Sequence, residues 1–133
     1  MPIISEVFHP DRLVIGVGRG DVTMVEYAKF LTDIIQGGMV HYRKIIDVTG
    51  VTSSAIGKDE LLAFDARFKG YSRERRGPLA IVADPYRHDI ADAFKATTSQ
   101  DRPVEIFRSI RDARKWLLSL PVGGTSGDAA EQS

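Results

Sequence analysis

Residues 78–84 read PLAIVAD, a run of apolar side chains that no polar residue interrupts until its end. A strand with one face in water alternates apolar and polar residues, whereas an unbroken run suits a central parallel strand covered on both faces. The run therefore sets an α/β class, with helices packed on a sheet. Just past it, Asp84 is placed to cap and Pro85 to open a helix, whose inward stripe is Tyr86, Ile90, Ala93 and Thr97 with Phe94 beside it. VEIFR (104–108) reads as a short last strand. Ser109 and Asp112 then have capping-box spacing before a final helix buried through Ile110, Ala113, Trp116, Leu117 and Leu120. Pro121 ends that helix.

Working back toward the start, a helix over 58–73 places Leu61, Phe64, Phe68 and Tyr71 on one face. A strand over 40–48 precedes it, apolar at Ile45, Ile46 and Val48. Before that, 23–36 reads as a helix, with Thr23 and Glu26 in capping-box spacing and Gly37 and Gly38 as its stop. Its inward stripe is Met24, Ala28, Leu31 and Ile35, flanked by Tyr27 and Ile34. IISEVF (3–8) and RLVIGV (12–17) form a hairpin about the turn HPD, and GRGD turns into the first helix. The order is β-β-α-β-α-β-α-β-α, a mixed, mostly parallel sheet with right-handed crossovers. Residues 1–120 form one domain, and the small polar segment 121–133 is expected to be a disordered tail.

The chain has 133 residues, of which 18 are basic, 18 acidic and none cysteine. Disulfides and thiolate chemistry are excluded. The balanced charge argues against a nucleic-acid partner, which would require an excess of Lys and Arg. Apolar runs of about five residues are far short of the roughly 20 that span a bilayer, so a cytoplasmic protein with no membrane span is expected. No cofactor and no metal-ligand pattern is indicated.

The element order, together with DVTGVTSS (47–54) at the end of the third strand, resembles the STAS domain. The closing segment VEIFRSIRDARKWLL (104–118) is similar to the SpoIIAA-like branch. The likeness spans residues 3–120. It implies a SpoIIAA-like (STAS) fold and a non-enzymatic regulatory or protein-binding module, acting through the loop 49–57 and the following helix start. In the anti-sigma-factor-antagonist members a serine at the start of the second helix is phosphorylated. Asp47 to Thr52 match the first half of the antagonist pattern. An ungapped continuation puts the serine pair on Ile56 and Gly57, and a three-residue deletion puts it on Ser53 and Ser54. The branch also implies an alternative, a Sec14-like carrier of a small apolar or lipid ligand.

Four groups of residues are candidates. Thr52, Ser53 and Ser54 are able to accept a phosphoryl group or to line a partner loop, or serve only as a helix start. Arg73, Arg75 and Arg76 form a basic run that would bind an anionic ligand, or only complement a helix C-terminus. Phe64, Phe68 and Tyr71 would line an apolar groove, or simply the core. Asp47 and Asp84, at the ends of neighbouring strands, suggest a receiver-like phosphoacceptor, but the acidic pair and the lysine such a site needs are missing. Asp84, His88 and Asp92 share helical spacing on a face expected to be solvated. His9 and His41 have no evident partners. GVGRGD (16–21) lacks the glycine spacing of a dinucleotide loop and reads as a tight turn. A domain of this size is compatible with a homodimer, though no residue specifies one.

Overall fold

The computed structural model describes residues 3–54, 59–60, 63–64, 66–67, 76–84, 92, 95 and 102–120. Five strands form a single sheet in the order β1-β2-β3-β4-β5: β1 (Ile3–Phe8), β2 (Leu13–Val22), β3 (Arg43–Ser54), β4 (Leu79–Val82) and β5 (Val104–Phe107). β1 and β2 are antiparallel, and every later pairing is parallel. Two helices are described in full, α1 (Met24–Gln36) and α2 (Ile110–Leu118). Asp59, Glu60, Ala63, Phe64, Ala66 and Arg67 are helical, as are Asp92 and Lys95. The α/β class and mostly parallel sheet agree with the sequence reading. The remaining stripe residues of the two middle helices, and the segment 121–133, lie outside the described residues.

β4 explains why its sequence does not alternate. All four of its residues are buried, with Ala80 and Val82 packing under α2 against Ala113 and Leu117. Leu79 and Ile81 face the opposite way, into a cluster with Val22 and Val104. On β2 the same division sends Leu13 and Ile15 toward α2, and Val14 toward α1. Gly16 lies on the α1 face, where the Phe30 ring occupies the space a side chain would need: a Cβ there would lie 2.7 Å from the ring tip.

The caps form as their spacing predicts. Glu26 N donates to Thr23 Oγ1 at 3.2 Å, and Thr23 N donates to Glu26 Oε1 at 2.8 Å, which completes the box on α1. Ser109 accepts from Asp112 N at 3.2 Å, the one half of a box that α2 makes. Gly38 ends α1 with φ +71°.

HPD is the turn of the hairpin, as expected, wound as a short 3-10 helix (His9–Asp11). Two local expectations are corrected. The buried face of α1 is Phe30, Leu31 and Ile34, with Met24, Ala28 and Ile35 only half-buried at its edges, because the Phe30 ring fills the hollow over Gly16. The largest change is in length: β2 continues five residues past Val17, and β3 six past Val48. GRGD is therefore strand rather than turn, since its backbone finds ladder partners in Gly50–Ser54 that neither segment has alone.

Candidate functional site

The C-terminal ends of β2 and β3 form a two-strand rim beyond the rest of the sheet. β4 pairs with β3 only as far as Asp47↔Val82, whereas β2 and β3 continue together through Arg19↔Gly50, Gly20↔Val51, Asp21↔Ser53 and Val22↔Ser54. Two register irregularities, at Val17/Arg19 and Gly20/Asp21, bend this extension, and Gly20 has φ +65°. The underside is apolar, with buried Val22 packed alongside Met24, Tyr27, Val48 and Val51. The outer side is polar: Arg19, Asp21, Thr49 and Gly50 are all exposed. Asp47 Oδ1 accepts from Thr49 N at 2.9 Å and from Thr49 Oγ1 at 2.7 Å, which turns its carboxylate along the strand.

The candidate phosphoacceptors fall on this rim. Thr52, Ser53 and Ser54 are strand residues, with Ser53 opposite Asp21, so the expected loop 49–57 is strand as far as Ser54. Ile56 and Gly57 lie outside the described residues. Asp84 is half-buried just beyond the end of β4 and interacts with other groups.

The other candidates are dispersed. Arg76 is 7% exposed and so belongs to the interior rather than to a surface patch; Arg73 and Arg75 lie outside the described residues. Phe64 is half-buried with its ring edge against Tyr27, 5.8 Å between centroids, joining the cluster of Phe30, Leu31 and Ile34. Arg67 lies over the outer face of that ring at 5.8 Å. Phe68, Tyr71 and His88 lie outside the described residues. His9 and His41 do have partners: His9 Nδ1 and Tyr42 Oη are 2.8 Å apart, and both imidazoles meet the Tyr42 ring edge-on.

The opposite, N-terminal pole of the sheet holds residues that the sequence did not single out. Lys44 is 2% exposed and donates to Val40 O at 2.6 Å and Tyr42 O at 2.9 Å. Arg102, also buried, donates to Gly77 O at 3.3 Å. Arg43 donates to Asp11 O at 2.6 Å, Leu117 O at 2.9 Å and Leu120 O at 2.8 Å, so it serves the open carbonyls at the end of α2. Burial lowers the Arg43 pKa from its ordinary value; nearby Asp11 opposes that shift and Arg12 adds to it. A polar residue in a strand gives no sequence signal of the contacts its side chain will make, so these roles emerge only from the fold.

Three solved structures resemble the chain over most of its length. An uncharacterized DUF3478-family protein with a SpoIIAA-like fold, from Shewanella loihica PV-4, matches with a TM-score of 0.55 and 18% identity, covering 86% of this chain and 91% of that one. The chain has a SpoIIAA-like fold. An anti-sigma factor antagonist from Mycobacterium paratuberculosis matches at TM-score 0.53 and 17% identity, over 86% and 92% of the two chains. The anti-sigma factor antagonist SpoIIAA in its unphosphorylated form gives 0.56 and 14%, over 89% and 99%. No protein-family model and no curated protein matches the chain. Among the described residues no helix is long and apolar enough to cross a membrane.

Proposed function

We propose that the chain is a non-enzymatic regulatory module of the cytoplasm that binds a protein partner through the rim of β2 and β3. The observation that carries this reading is the extension itself. Two strands outrun the sheet, expose Arg19, Asp21 and Thr49 over an apolar underside, and carry Thr52–Ser54 within the same paired backbone. Support also comes from two structural neighbours that are anti-sigma factor antagonists. Ser53 or Ser54 is the switch in this reading. Ser53 is in register with exposed Asp21, so a phosphoryl group there would add negative charge to a strand position already paired with a carboxylate and alter the rim's field.

The test is affinity capture with wild-type chain and with two rim variants, Asp21→Lys and Ser53→Glu, followed by native mass spectrometry of what is retained. A single protein held in stoichiometric amount by wild type and lost by both variants supports the reading. Retention by both variants moves the interface elsewhere. Release of a bound lipid on desolvation would instead favour the carrier alternative.

A further inference from the structure

β1 ends the sheet on one side, and among the described residues no strand lies beyond it. Among the described residues its outer backbone therefore has a row of hydrogen-bonding groups with no strand beside it, the part of a sheet that proteins ordinarily protect with proline, lysine or a bulge. Within Ile3–Phe8 there is no proline or lysine, and the register from Ile3↔Gly18 to Phe8↔Leu13 is unbroken. Two of its apolar residues also face water, Ile4 at 52% and Val7 at 37% exposure. They lie on opposite faces of the ribbon, whose end residues Ile3 and Phe8 pack into the core on the α1 and α2 sides respectively.

We propose that β1 pairs antiparallel with β1 of a second copy of this chain, about a two-fold axis through Ser5. The register follows from symmetry and charge. Directly opposed residues in an antiparallel pair point to the same face, so a two-fold axis between identical strands must pass through a residue. An axis at Glu6 sets Glu6 against its own copy, which like-charge repulsion opposes. An axis at Ser5 pairs two small hydroxyls at the centre and places Ile3 opposite Val7 of the other copy. Ile4 then lies against the aliphatic stem of the other Glu6, whose carboxylate stays in water. Five strands from each copy become one continuous sheet. Edge pairing alone buries less than a standard interface, so the dimer is a reversible one that concentration controls.

Light scattering over a concentration series checks this on the full chain. Wild type approaches about twice the 14.7 kDa of one chain, whereas Ile4→Lys and Val7→Lys each return it to one chain with unchanged circular dichroism. Val25→Lys, at a residue 78% exposed on α1, should leave the dimer intact. The chain has no cysteine, so Ser5→Cys introduces its only thiol, and mild oxidation should trap a disulfide-linked dimer that Lys29→Cys does not form. A mass of one chain at every concentration overturns the proposal, as does a dimer indifferent to Ile4→Lys and Val7→Lys. A dimer that appears only once 121–133 is deleted would show that the chain's own C-terminal segment takes this edge, and would overturn it too.

Discussion

The two poles of the sheet are built on opposite terms. At the C-terminal rim polar groups face water, the strands bend through irregular register, and the apolar contacts lie beneath. At the N-terminal pole the cations turn inward: Lys44, Arg76 and Arg102 are all buried, and backbone carbonyls receive the donors of Lys44 and Arg102. A polar side chain at the rim can be exchanged with little consequence for the fold. One at the other pole cannot, because its removal takes a donor away from carbonyls bonded inside the fold. The difference separates where this protein keeps its stability from where it is able to offer recognition.

The largest effect should follow from Gly77→Ala. A Cβ there would collide with Tyr42 O and His41 O, which are backbone atoms rather than the far end of a flexible side chain. A loss of about 3 kcal/mol or more in denaturant unfolding is expected; a loss below about 1 would show the pole to be soft. Lys44→Ala should cost about 2–4 kcal/mol, from lost packing together with the donor removed from Tyr42 O and from Val40 O, the latter keeping the Gly77 N–H. Lys44→Met restores most of the volume and should recover part of that loss; full recovery would mean the hydrogen bonds contribute nothing.

Gly16→Ala meets a ring instead of backbone, so about 1–3 kcal/mol is expected, and Phe30→Leu in the same chain should return some of it. Thr23→Ala removes one side of the capping box and should lower stability by about 1 kcal/mol. The rim gives the smallest effect: Asp21→Asn should change unfolding free energy by less than about 0.5 kcal/mol. A rim substitution as damaging as Lys44→Ala would erase the contrast between the poles.

The same contrast accounts for what could be read from the sequence. β1, β4 and both helix caps were legible because each rests on local information: a run of apolar residues, or a hydroxyl three positions before a carboxylate. The ends of β2 and β3 were not, since GRGD and GVTSS look like turn and loop until the two are laid side by side. The fold class survived this error because it depends on β4 and on the helices between strands. The candidate site did not come through unchanged: Thr52–Ser54 became strand, and Arg76 moved from a surface run into the interior. Phe30 carries no sequence signal on α1 because its place depends on the empty space over Gly16, 14 positions earlier in the chain. Lys44 sits among apolar neighbours in KIIDV, and no periodicity distinguishes a buried ammonium from an exposed one.

The Arg43 side chain reaches Asp11 in the turn after β1 and both Leu117 and Leu120 at the close of α2. It works as a rivet through three parts of the chain that are far apart in sequence. Tension applied at Leu120, for instance by a fused cargo, would load that guanidinium together with the α2 backbone and so be shared with the opening hairpin. Whatever is attached after Leu120 is thus mechanically coupled to the β1 side of the protein.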